Sequence, residues 1–265
     1  MSGSTPSGTV LRSTVEVRRD DILARLTEHG RVEVGALAGS LGVTEETIRR
    51  DLRVLELDGL LQRAHGGAVR AGTGVTDGAD TAAALAARAA VLVQDDSTVF
   101  LGNGSACEAL GALLAVVPGV VLVTASVRVA LAAALADEAA VVHLVGGEVD
   151  PHGRLTGAWA RSQLAGLRVD VAVIEAQGIG VGGRLLHATP EEAAVVDAAT
   201  SVAATTILLG DAPTFEHGGL AASVPASSLG AAVLAIGVPA RIVESLSAAG
   251  VRIEAVGADR TGVEA

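Results

Sequence analysis

Two patterns of apolar spacing follow one another along the chain. From residue 15 to residue 57 apolar side chains recur every three or four positions, the period of amphipathic helices. "VEVRRDDILARLTEHG" (15–30) predicts a helix with Ile22, Leu23 and Leu26 inward and Gly30 as its stop. "VEVGALAGSLG" (32–42) predicts a second, with Ala36, Leu37 and Leu41 inward, closed by Gly42. Thr44 suits the N-cap of a third, with Glu45 and Glu46 well placed in its first turn. This helix runs to about Leu57 and ends by Gly59, after which "LLQRA-HGG-AVR" predicts a short hairpin. Helix, helix, tight turn, helix, hairpin is the order of a winged helix-turn-helix. Residues 1–13 are small and polar and predict disorder.

Beyond the Gly/Thr-rich "AGTGVTDGADT" (71–81) the pattern changes to short apolar runs separated by alanine-rich helical stretches. The strand candidates are 97–102, 120–125, 140–147, 169–176, 205–210, 231–237 and 252–256. Continuous apolar runs, each followed by a loop and usually a helix, predict a doubly wound, Rossmann-like α/β sheet with parallel strands. The chain thus divides into a disordered 1–13, a winged helix-turn-helix over 14–70, a linker over 71–84, and an effector-binding and oligomerisation domain over 85–265. Ligands of such sheets bind outside the carboxyl ends of the strands. That directs attention to "GNGSAC" (102–107), "TAS" (124–126), "GGE" (146–148), "QGIGVGG" (177–183) and "GDAPTF" (210–215).

Charge sharpens the division. The formal net charge is −11, yet residues 10–70 hold ten arginines and ten acids and are neutral; the acidity lies almost wholly after residue 70. The chain has no lysine, which excludes Schiff-base chemistry and a P-loop lysine. Aromatics make up 1% of it, too few for a base-stacking platform. The single Cys107 forms neither an internal disulfide nor a cysteine metal cluster, which suits a reducing cytoplasm. No secretory pattern opens the sequence, and the most apolar stretch, 112–125, is interrupted by Pro118-Gly119 and falls short of the ~20 residues of a membrane span.

On the third helix Ile48, Leu52 and Leu55 share one face, while Glu46, Arg50 and Arg53 point the other way, flanked by Thr47 and Arg49. In a helix-turn-helix the N-terminal half of this helix enters the major groove, where arginine pairs bidentately with guanine or holds phosphates. A bland reading makes these arginines a solvated face balanced by Glu45, Glu46, Asp51 and Glu56; the tri-helix with a wing outweighs it. In the body, the backbone N–H groups of Gly104, Ser105 and Ala106 are placed to cradle an anion, against a plain βα turn capped by Ser105. "GIGVGG" lacks the strand-turn-helix context of a nucleotide fingerprint, since Arg184-Leu185-Leu186 starts no helix. His143 reads as a core or edge-strand histidine. His152, His187 and His217 read as loop residues without a metal triad.

Residues 18–69, and above all "TIRRDL…L…G…R.HGG" (47–67), resemble the helix-turn-helix domain of the DeoR family of bacterial transcriptional regulators. The resemblance implies sequence-specific binding of double-stranded operator DNA by a homodimer or homotetramer, usually to repress. It carries DNA roles to Thr47, Arg49, Arg50, Arg63 and His65; Thr44, Glu46 and Arg53, on the exposed part of the same helix, join them as candidate DNA contacts. "VFLGNGS", "TAS.RVAL", "HLVGGEV", "QGI", "TPEEAAV" and "GDAPTF" resemble the family's sensor domain, related in fold to sugar-phosphate isomerases and CoA transferases. It implies an effector pocket, usually for a phosphorylated sugar, around Asn103, Gly104, Ser105, Thr124, Ser126, Gly147, Gln177, Gly178 and Asp211. No metal or other cofactor is implied.

The departures concentrate there. Gly102 stands where the family has Asp, Ala125 where it has Asn, Gln177 where it has Asp, and Val196 and Thr214 where it has lysines. Each charge-assisted hydrogen bond removed from a phosphate weakens binding by roughly 1.5–3 kcal/mol. Arg128, Arg154 and Arg184 are candidates to compensate. The sequence leaves three readings: a regulator sensing an unusual ligand, a constitutive DNA-binding oligomer without effector, and an isomerase- or CoA-transferase-like enzyme using Glu175 as a nucleophilic carboxylate.

Overall fold

The computed structural model describes residues 14–57, 61–64, 66–70, 78–216 and 218–257. The chain forms two compact units, Met1–Gly78 and Ala79–Ala265. Residues 1–13 and 71–77, with His65 and His217, lie outside the described residues.

The first unit contains α1 (Thr14–His29), β1 (Arg31–Glu33), α2 (Val34–Leu41), α3 (Glu45–Leu57), β2 (Leu61–Ala64) and β3 (Gly67–Arg70). Its core is one cluster in which Ile22 and Leu26 of α1 meet Leu37 of α2 and Ile48, Leu52 and Leu55 of α3. The predicted second helix starts two residues late. Residues 31–33 are extended instead and pair with β3 in a three-stranded sheet of order β1-β3-β2. Val32 is thereby buried against the core. Gly67 is dictated by this pairing: a Cβ there would lie 2.0 Å from the Val32 carbonyl oxygen.

Asp51 is a second correction. It is not a surface charge balancing the arginines of its own helix. It is 2% exposed and accepts hydrogen bonds from Arg18 Nε at 2.6 Å and Arg19 Nε at 3.1 Å, tying α3 to α1.

The second unit opens with α4 (Gly78–Ala90), so residues 78–84, read as linker, are helical, and Ala82 packs into the core. Then come β4 (Thr98–Leu101), α5 (Ser105–Ala115), β5 (Val121–Thr124), α6 (Val127–Ala136), β6 (Val141–Leu144), β7 (Glu148–Val149), β8 (Leu155–Thr156) and α7 (Gly157–Ala165). The chain continues through β9 (Val169–Glu175), β10 (Gly178–Ile179), β11 (Arg184–His187), α8 (Pro190–Ser201), β12 (Ala203–Gly210), α9 (Ala212–Glu216), β13 (Ala221–Pro225), β14 (Ala231–Ala235), α10 (Ala240–Ala248) and β15 (Arg252–Val256). All seven predicted strands enter one sheet, of order β15-β14-β12-β9-β4-β5-β6, and every pairing in it is parallel.

Alternate residues of the inner strands serve opposite faces. Val99 and Leu101 pack with α4, α5 and α6, whereas Phe100 packs with α7, α8 and α10. Burial on both faces explains the continuous apolar runs. The short antiparallel pieces, β7-β8 and β10-β11-β13, were invisible as strands in the sequence. "QGIGVGG" is the β10–β11 hairpin and opens no helix. No helix among the described residues is long and apolar enough to cross a membrane.

Candidate functional site

Strand order fixes where a ligand site forms. The chain runs outward from β4 through β5 to β6, then returns to the other side of β4 as β9. The loops after β4 and β9 therefore part in opposite directions, leaving a crevice at their carboxyl ends. A cleft of about 300 Å³ lies there.

Four predicted pocket residues line it: Asn103, Gly104, Ser126 and Gln177. The other five do not. Ser105 is exposed at the start of α5. Thr124 is fully buried, its hydroxyl donating to the Leu101 carbonyl. Gly147 packs against the Thr156 backbone, Gly178 pairs within the small sheet, and Asp211 accepts the Thr214 N–H at 2.9 Å at the head of α9. Arg128 and Arg154, candidates to compensate for the missing lysines, line the cleft, as do Glu175 and Thr214, while Glu108, His152, Ala176, His187 and Glu192 line it without having been placed there from sequence. Arg184 lies on β11, exposed and away from it.

Of the predicted anion cradle of Gly104, Ser105 and Ala106 only the Ala106 N–H meets a carboxylate, joined by that of Cys107, and the carboxylate is the protein's own. The Glu175 carboxylate, at the end of β9, accepts the Ala106 N–H at 3.1 Å and the Cys107 N–H at 3.0 Å through one oxygen. It thus caps α5 in place of Ser105, satisfying N–H groups that a helix start leaves open. Gly104 is required by this insertion. Its φ is +125°, and a Cβ there would lie 2.1 Å from Glu175 Cδ. Burial pushes Glu175 up to about 7 against the pull of the Cys107 amide, and the Asp211 carboxylate adds to the rise. Burial likewise pushes the Cys107 thiol well above its usual range, with Glu175 reinforcing it.

Both arginines of the cleft are held by carboxylates. Arg128 Nε donates to Glu108 at 2.7 Å. Arg154 donates to Asp150 at 2.6 Å and to Glu192 at 2.9 Å. His187, read as a loop residue, is 1% exposed on β11, with Nε2 2.8 Å from Ser223 Oγ. Burial lowers its pKa to about 4, so it is neutral near pH 7. His143 is exposed on the edge strand β6. Among the described residues no group of three His, Cys, Asp or Glu side chains is disposed to hold a metal ion.

The first unit presents a different surface. Thr44 caps α3, accepting the Thr47 N–H at 3.2 Å. Thr44, Glu46, Arg49, Arg50 and Arg53 are exposed and Thr47 is half-buried, opposite the buried Ile48–Leu52–Leu55 seam. Arg49 folds back onto Glu45 at 2.6 Å. Arg50 and Arg53 meet no carboxylate among the described residues. Arg63 lies on β2; His65 falls outside the described residues.

Comparison with known proteins supplies the family. Residues 18–73 match the DeoR-like helix-turn-helix domain, and residues 78–234 match the DeoR C terminal sensor domain. The chain belongs to the DeoR family. It is 30% identical over 203 residues to the HTH-type transcriptional repressor CsqR of Escherichia coli K12, covering 73% of this chain and 77% of that one. It is 27% identical to the putative aga operon transcriptional repressor of Escherichia coli O157:H7, over 97% of this chain and all of that one. Among solved structures, ribose 5-phosphate isomerase A of Methanocaldococcus jannaschii aligns at 16% identity and a TM-score of 0.37, covering 50% of this chain and 52% of that one. This DeoR-family chain is thus a DNA-binding transcriptional regulator, a helix-turn-helix joined to a sensor-type α/β domain.

Proposed function

We propose that this DeoR-family protein represses transcription by binding operator DNA as a homodimer or homotetramer, and that a small molecule entering the body's cleft loosens the complex. One observation carries the reading: α3 sets Arg50 and Arg53 outward, without a carboxylate partner among the described residues, opposite a seam that locks the helix in place. Thr44, Glu46, Thr47, Arg49 and the wing residues Arg63 and His65 complete the proposed contact surface. Guanidinium groups outside internal ion pairs are free to meet guanine edges and phosphates. Names of relatives as repressors support the direction of control.

Fluorescence anisotropy against DNA from upstream of the protein's own gene tests this. Tight binding that falls with salt, and that Arg50→Ala weakens, is the expected result. Equal affinity for unrelated DNA would overturn it. A body that binds nothing, and only oligomerises, would show as operator binding that no metabolite disturbs. The enzyme reading is disfavoured because one oxygen of the Glu175 carboxylate is held by two amides as a helix cap, which a nucleophile would have to give up. An acyl-CoA turnover assay on the wild type and Glu175→Gln tests that point.

A further inference from the structure

Carboxylates outnumber guanidinium groups in the cleft: Glu108, Glu175 and Glu192 line it against Arg128 and Arg154. Asn103 Oδ1 is buried and meets no donor. The Glu175 carboxylate lines the same cleft, and the charged side chain acting most strongly on it is another carboxylate, Asp211. Both arginines are committed, Arg128 to Glu108 and Arg154 to Asp150 and Glu192. His187 is buried and joined to Ser223. A phosphate entering here would have to displace a carboxylate from each arginine. It would also approach Glu175, which already holds the N-terminus of α5. A buried acceptor left without a donor is costly, so a ligand that supplies N–H donors and positive charge fits where an anion does not.

We propose that the cleft receives a small, non-phosphorylated polar molecule bearing an ammonium group, with its N–H donors directed at the Glu175 carboxylate and Asn103 Oδ1. The proposal rests on the reading of the body as a ligand-responsive sensor and names the chemistry that it senses.

The test is isothermal titration of the full chain with glucosamine, glucose and glucose 6-phosphate, extended to other amino polyols and their hydroxyl counterparts. At least one amine binds about tenfold tighter than its hydroxyl counterpart, as expected of a charge-assisted hydrogen bond. Glu175→Gln brings the ratio of amine to hydroxyl affinity to about one, whatever it does to the two affinities separately. Asn103→Ala, which leaves the α5 cap untouched, weakens the amine by about threefold to tenfold and stands as the test if Glu175→Gln does not fold. Equal binding of amine and hydroxyl counterparts, preference for the phosphorylated sugar, or no amine binding overturns the proposal. Operator anisotropy on the same protein separates the two readings. Release by glucose 6-phosphate keeps the regulator and ends the ammonium site. Amine binding without any operator binding keeps the site and ends the regulator.

Discussion

Arg50 and Arg53 stand on α3 with no carboxylate partner among the described residues, whereas Arg128 and Arg154 sit in the cleft within hydrogen-bonding distance of three acids. An arginine without a carboxylate partner is not rare among the described residues, since Arg31, Arg161, Arg168 and Arg184 have none either; what sets Arg50 and Arg53 apart is that both stand exposed on the helix face opposite a buried seam. A free guanidinium meets a polyanion without first breaking an internal pair; a paired one must exchange partners, and the exchange returns little. The same residue type makes one surface attractive to phosphate and leaves the other indifferent to it.

The sharpest way to break this contrast is to remove Arg50 and Arg53 together. Arg50→Ala with Arg53→Ala is expected to weaken operator binding by about a hundredfold, at roughly 1–3 kcal/mol for each guanidinium removed from the DNA. Arg128→Ala in the body is expected to leave it within about threefold. An anisotropy titration giving comparable weakening for both would show that exposure and pairing do not decide which arginines serve DNA.

The head also contains arginines that resemble those of the body. Arg18 and Arg19 converge on Asp51, whose side chain is 3% exposed. Removing one partner of a buried pair leaves charge uncompensated, so Asp51→Ala should cost the head about 3 kcal/mol. Calorimetry should then show the head's transition lowered and the body's unmoved. A change below about 0.5 kcal/mol would class the cluster with surface pairs.

Asp51 shows where sequence reading stopped. Spacing alone exposed Ile48, Leu52 and Leu55 as one face, because helical period is a local property. The partner of Asp51 comes from a helix thirty-two residues earlier, and no period reports it. The same holds in the body. Seven apolar runs yielded seven strands of one sheet, and the loops after them led to Asn103, Gly104, Ser126 and Gln177. Glu175 was visible as a strand-end acid, and the N–H groups at the start of α5 as an anion cradle. Their union was not visible, since it depends on β4 and β9 being neighbours across a topological switch. Gly104 was the available signal: a glycine before a helix start marks a close approach, here by a side chain from another strand. β10, β11 and β13 were missed because two to five residues of mixed polarity carry no alternation.

The weakest contrast lies inside the cleft, between two buried titratable groups that face opposite ways in pH. Glu175 has a folded value of about 7 against an ordinary 4.5. Folding retains its proton, so its contribution is full below pH 4.5 and is lost as pH rises through 7. His187 has a folded value of about 4 against 6.5. Folding excludes its proton, so its contribution is full above pH 6.5 and is lost as pH falls through 4. Between pH 4.5 and 6.5 the two slopes oppose each other and nearly cancel. Each variant should therefore reveal the other group. Relative to wild type, Glu175→Gln gains stability on going from pH 4.5 to 7, and His187→Gln, which keeps a partner for Ser223, loses it. Each difference is about 3 kcal/mol across the window. Urea titrations at half-unit pH steps measure both. Parallel curves for the three proteins would mean that neither group is held as the geometry of the cleft requires, and the helix cap made by Glu175 would be the first element to discard.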